Sequence, residues 1–139
     1  KLTQVFLNLA INALDAVDGR SERRLVVSTG LVHWREQALG GTLLREVVEV
    51  RFEDSGRGMA IEEIRSIFIP FYTTKPNGTG LGLPICQRIV RSLGGSIEVS
   101  SVPGKGSVFS VLLPLWGDET ITGTSLRRIR SGTTEAGSA

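Results

Sequence analysis

The 139 residues carry 16 lysines and arginines against 14 aspartates and glutamates, a formal net charge of +2, and aromatics make up only 6%. That length suits one domain with one core, and the scattered basic residues, apart from Arg23-Arg24 and Arg127-Arg128-Ile129-Arg130, argue against a nucleic-acid face, where charge gathers. The single cysteine excludes an internal disulfide framework, and no apolar run approaches the roughly 18 residues that cross a bilayer, so a soluble, cytoplasmic piece without membrane contact is expected.

Residues 2–17 contain no glycine or proline and few β-branched side chains, which predicts a helix. The chain then breaks at Asp18-Gly19-Arg20-Ser21. Residues 24–36 and 45–53 read as two strands of an antiparallel hairpin, with a Gly-Gly turn at 40 and 41. From 54 to 83 the sequence is mostly punctuation, DSGRGM, then EEIRSIF as a short helical piece, then IPFYTTKPNGTGLGL; so long an irregular stretch is usually functional. Residues 84–93 form a further helix, with Pro84 in its first turn and Gly94-Gly95 as its stop. Cys86 stands among Ile85, Ile89 and Val90, where it reads as a small buried apolar residue. The strands SIEVSS and SVFSVLLPL follow, joined by PGKG. Together these elements predict an α/β (α+β) two-layer sandwich with helices on one face of the sheet. After Trp116 the composition turns to Gly, Thr and Ser, so the domain is expected over 1–116 and a flexible tail over 117–139.

On the first helix Lys1, Gln4, Asn8, Asn12 and Asp15 fall in a stripe roughly 80° wide, and nearly every other side chain is apolar. This predicts a helix buried on most sides whose stripe faces water or a ligand. The asparagines have two readings. They satisfy neighbouring backbone groups, since an unpartnered buried carboxamide costs roughly 1–3 kcal/mol; or their oxygens face a hard cation such as Mg²⁺, whose partner phosphates supply the negative charge.

In VVEVRFEDSGRG the alternation puts Val48, Val50, Phe52 and Asp54 on one face, three for a core and the fourth a carboxylate. Buried, Asp54 needs donors; an adenine amino group is one, and Gly56 and Gly58 would let backbone approach the base. An ordinary Asp-Ser-Gly turn is the other reading. Gly78-Thr79-Gly80-Leu81-Gly82-Leu83 runs straight into the helix near Pro84, so its N–H groups and the helix dipole suit polyphosphate, unless the glycines serve as a hinge. No G-x-x-x-x-G-K-[ST] is present and the spacing is not that of a dinucleotide loop, so a nucleotide site would be of another kind.

In order, FLNLAINALDAV, FEDSGRGM, IFIPFYTTK and GTGLGLPICQRIV resemble the N box, first glycine box, F box and second glycine box of the sensor histidine kinase ATP-binding domain, of the GHKL superfamily. The likeness covers residues 1 to about 115 and is greatest to the nitrogen-regulation type, through the NALDA run and PFYTTKPNGTGLGL. It implies a Bergerat fold, a mixed, mostly antiparallel sheet, ATP and Mg²⁺ as ligands, and a lid over 59–77 anchored by Phe68 and Phe71. It further implies Asn12 as Mg²⁺ ligand and Asn8 as a neighbouring phosphate or metal-water contact, the two making the catalytic pair. Asp54 would receive the adenine amino group, with Gly56, Gly58 and Met59 around the base and Ser107 near it. Gly78, Thr79, Gly80, Leu81, Gly82 and Leu83 would hold the phosphates, and Lys75 would reach the terminal ones.

Three departures stand out. Asp15 occupies the place where many members have a phosphate-binding basic residue. The only histidine, His33, lies in a strand-like LVHWRE segment and reads as structural, because the phosphoacceptor belongs on a separate helical domain. The resemblance also implies a strand and helix upstream of Lys1, so that the sequence starts inside the domain.

The implied activity is transfer of the ATP γ-phosphoryl to a histidine on a dimerisation domain of the same protein, for relay to a response regulator, the whole being a homodimer. Related ATPases place a glutamate base where Asn8 stands, and a carboxamide takes no proton. A GHKL-type ATPase, a serine kinase, or a nucleotide-binding interaction module without kinase activity are the alternatives.

Overall fold

A computed structural model describes residues 1–115; the expected tail over 117–139 lies outside the described residues. Helix α1 runs Leu2–Val17, β1 Leu25–Ala38, β2 Gly41–Asp54, α2 Ile61–Ser66, α3 Gly82–Ser92, β3 Ser96–Val102 and β4 Gly106–Pro114. The strands form one sheet in the order β1-β2-β4-β3, and every pairing among them is antiparallel. The helices lie on one face, the two-layer arrangement expected.

Two hairpins build the sheet. The first is longer than the sequence suggests: pairing continues to Ala38↔Gly41, so Leu39 and Gly40 make the turn and the segments read as loop ends are strand. Gly40 takes φ +102, a value that suits glycine at such a tight reversal. Helix α3 starts at Gly82, two residues earlier than the Pro84 start expected, because proline is tolerated anywhere in the first turn, where N–H groups have no helical acceptor. It ends as predicted at Gly94-Gly95: Gly94 has φ +76 and Gly95 donates to the Val90 carbonyl at 3.0 Å.

The core lies where Val5 and Leu9 of α1 and Cys86 and Val90 of α3 meet Val50, Phe52, Ile97, Phe109 and Val111 of the sheet. Phe6 adds a tilted ring contact to Phe52, centroids 5.9 Å apart. Cys86 is fully buried and burial pushes its thiol pKa up, the behaviour of a small core residue. The expectation that α1 is buried on most sides is corrected. Val5, Leu9, Ala13 and Val17 are buried, whereas Leu7, Ile11 and Leu14 on the opposite side stay 45–58% exposed. Only one face of α1 meets the sheet and α3, and hydrophobicity alone does not say which apolar side chains acquire neighbours.

The other sheet face has its own small cluster. Val47 and Leu112 are buried there, and the Trp34 indole of β1 reaches over the central strands to donate to Glu98 of β3 at 3.1 Å. Trp34→Phe, which keeps most of the apolar surface and removes that bond, is expected to lower unfolding free energy by about 0.5–1.5 kcal/mol in urea titration.

Candidate functional site

A cavity of about 740 Å³ opens between the C-terminal half of α1, the adjoining ends of β2 and β4, α2, and the loop leading to α3. That size suits a small organic ligand. Its wall gathers Asn12, Asp15, Asp54, Gly58, Met59 and Lys75, together with Gly78, Thr79, Gly80, Gly82, Leu83 and Ser107. Segments up to 95 positions apart thus meet around one space. Gly56, Leu81 and Asn8 do not line it.

Asp54 closes β2 opposite Ser107 of β4 and is 6% exposed. Burial raises its carboxyl pKa above the ordinary carboxylate value, while backbone N–H groups of Gly56 and Ser107 pull it back down. The Gly56 N–H reaches Oδ1 at 2.8 Å. Gly56 itself sits behind the carboxylate: a Cβ there would fall 2.6 Å from Asp54 Oδ1 and 2.7 Å from the Ala16 carbonyl oxygen. Its role is to let the turn press against α1, which Arg57 N–H extends by donating to that Ala16 oxygen at 3.1 Å.

The glycine turn is equally constrained. Gly80 has φ +69, and a Cβ would stand 2.4 Å from the Phe71 carbonyl carbon. Phe71 N–H donates to Gly80 O at 2.9 Å, and Phe71 is itself left-handed at φ +69, rare for a bulky residue. Beyond this turn the unpaired first-turn N–H groups of α3 begin, at the cavity wall. The anchoring role expected of Phe71 is corrected: the ring is 75% exposed, while Ile67 is buried and Phe68 packs against the core. The left-handed backbone at Phe71 accompanies that outward placement.

Asn12 and Asp15 face the cavity one helical turn apart, and the Lys75 ammonium lies between them, 2.9 Å from Asn12 Oδ1 and 2.5 Å from Asp15 Oδ2. Asn8 stands outside the cavity lining; its Nδ2 donates to Cys86 Sγ at 3.5 Å, a side-chain partner that ties α1 to α3. His33 is exposed on the first hairpin, away from the cavity.

Sequence reasoning missed Arg57, Glu63 and Thr74. The guanidinium binds both Glu63 oxygens, at 2.5 and 3.2 Å, and donates to Thr74 Oγ1 at 3.1 Å, so the first glycine box clasps both α2 and the lid. The Glu63 partnership raises the Arg57 pKa. An Arg-Gly pair in a turn announces none of this; only the acidic residue six positions on was available as a signal.

The fold and cleft define a two-layer α/β domain with a cavity between its helical layer and a glycine-rich loop. Residues 1–117 match the family model described as histidine kinase-, DNA gyrase B- and HSP90-like ATPase, and the chain belongs to that family. It is 41% identical over 115 residues to the sensor histidine kinase ZraS of Salmonella typhimurium, covering 83% of this chain and 22% of that protein. It is 38% identical over 125 residues to the sensory histidine kinase/phosphatase NtrB of Azospirillum brasilense, covering 88% and 31%. A solved mycobacterial sensor histidine kinase, MprB, superposes with a TM-score of 0.61 at 25% identity, over 81% of this chain and 69% of that one. The chain therefore spans between about a fifth and a third of those two relatives' lengths, and its fold is that of histidine kinase catalytic domains. Among the described residues no helix is long and apolar enough to cross a membrane.

Proposed function

We propose that this chain is the ATP-binding catalytic domain of a two-component sensor histidine kinase, passing the ATP γ-phosphoryl to a histidine on a dimerisation domain of the same protein. A response regulator would receive it next, and the whole protein would be a homodimer. The observation carrying this reading is the convergence of Asn12, Asp54 and the Gly78–Leu83 turn on one nucleotide-sized cavity. Asp54 is the acceptor for the adenine amino group, with Gly58, Met59 and Ser107 around the base. The turn and the start of α3 offer N–H groups to the phosphates.

The residues present also fit a divalent cation. Asn12 Oδ1 already receives a positive group, the Lys75 ammonium, which stands in for one. Mg²⁺ bound there would neutralise phosphate charge, with Asn12 as its protein ligand. The chain's own work is then placement and exclusion of water rather than proton abstraction. Glu63 is held by Arg57, and position 8 carries a carboxamide that takes no proton, which favours transfer over hydrolysis as in an ATPase.

Incubation of the chain with a helical histidine domain and γ-labelled ATP tests the reading. Acid-labile phosphohistidine is the expected product. Free phosphate alone would make it an ATPase, acid-stable phosphoserine a serine kinase, and binding without chemistry an interaction module.

A further inference from the structure

Lys75 and Asp15 carry an inference that rests on the proposed nucleotide site and deepens it. The Lys75 backbone is fixed at both ends of its turn: its N–H donates to Thr73 Oγ1 at 3.1 Å and its carbonyl accepts from Gly78 N–H at 3.2 Å. From there the side chain returns across the cavity to α1, bridging positions 60 and 63 residues apart in sequence. The oxygen it meets, Asn12 Oδ1, is the one assigned to the metal. An ammonium and a divalent cation on the two lone pairs of one oxygen would stand roughly 4 Å apart and repel each other, so the two compete for that seat.

We propose that Lys75 is an exchangeable latch, holding the lid to α1 through Asp15 and Asn12 and yielding that seat when nucleotide and metal arrive. Asp15 is then a positioning residue. Its carboxylate gives the lid's cation a seat on α1 between nucleotide-binding events. Arg57 holds the neighbouring Thr74, so the latch governs the lid's outer part, residues 75–79, more than its root. The pair is weak by design of its surroundings: both side chains are nearly half exposed, and such pairs contribute about two- to fivefold in an equilibrium. That is enough to shift a lid and small enough for a nucleotide to overcome.

Two measurements test this with the chain itself. Amide hydrogen exchange of residues 75–79 in nucleotide-free protein should quicken about two- to fivefold in both Asp15→Asn and Lys75→Met. Calorimetric titration with a non-hydrolysable ATP analogue and Mg²⁺ should show Asp15→Asn binding about two- to fivefold more tightly, since no latch has to be broken, and Lys75→Met gaining nothing or losing affinity. Unchanged exchange in both variants would overturn the latch, as would weaker analogue binding by Asp15→Asn. If the unaltered chain fails to bind the analogue, the nucleotide reading falls, while the exchange data still decide whether Lys75 closes the lid.

Discussion

Replacing Asp54 by asparagine is expected to weaken adenine-nucleotide binding about ten- to a hundredfold without destabilising the domain, the loss expected for a charge-assisted hydrogen bond of roughly 1.5–3 kcal/mol. The substitution keeps the shape and leaves an oxygen able to accept the Gly56 N–H, which reaches Oδ1 at 2.8 Å. It replaces the other oxygen by an NH₂ group, which opposes the donor of an adenine rather than accepting it. Calorimetry with ADP or an ATP analogue reads the effect, and unchanged affinity would remove Asp54 from the base pocket.

Stability should move the other way. Burial raises the Asp54 pKa, so in the range between the ordinary carboxylate value and the raised one the folded protein keeps a proton that the unfolded chain has released. The stability this proton confers is fully present below the ordinary value and is lost as pH rises through the raised one. Asparagine does not titrate. The melting temperature of Asp54→Asn relative to the parent should therefore rise as pH increases from the ordinary carboxylate value through the raised one. A difference independent of pH would mean that the Gly56 and Ser107 N–H groups fully offset burial.

The same aspartate illustrates what the sequence reveals. Strand alternation put Val48, Val50, Phe52 and Asp54 on one side, and Val50, Phe52 and Asp54 are buried there. The helix over 2–17 and the stop at Gly94-Gly95 were legible because caps, breakers and periodicity act over a few residues. Contacts over long separations were not. Lys75 meets Asn12 and Asp15, and Arg57 meets Thr74, only because the lid takes one path among many, and no local pattern encodes that path. The exposed side of α1 failed for a related reason. Leu7, Ile11 and Leu14 have the chemistry of core residues, but burial is a property of what lies opposite them. Phe71 combines both limits: an aromatic in a left-handed conformation runs against its residue type and is imposed by the Gly80 turn.

A large loss of stability is expected at Gly58. Its φ of +67 costs an L side chain roughly 1–2 kcal/mol, and a Cβ would stand 2.0 Å from the Val102 carbonyl oxygen and 2.7 Å from its carbon, backbone atoms that cannot rotate away. Relief requires the first glycine box to part from the β3–β4 hairpin. That junction is held by Gly104 N–H donating to Arg57 O at 2.7 Å and by Met59 N–H donating to Ser101 Oγ at 2.8 Å. Gly58→Ala should therefore cost about 2–4 kcal/mol in denaturant titration and weaken nucleotide binding as well, because Met59 and Ser107 line the cavity. Gly104→Ala separates the two causes. That glycine has φ +80 but nothing within 4 Å of its Cβ position, so it should show backbone strain alone, about 1–2 kcal/mol, with nucleotide affinity kept. Equal losses in the two variants would mean that conformation, and not the close approach of Val102, is what requires glycine at position 58.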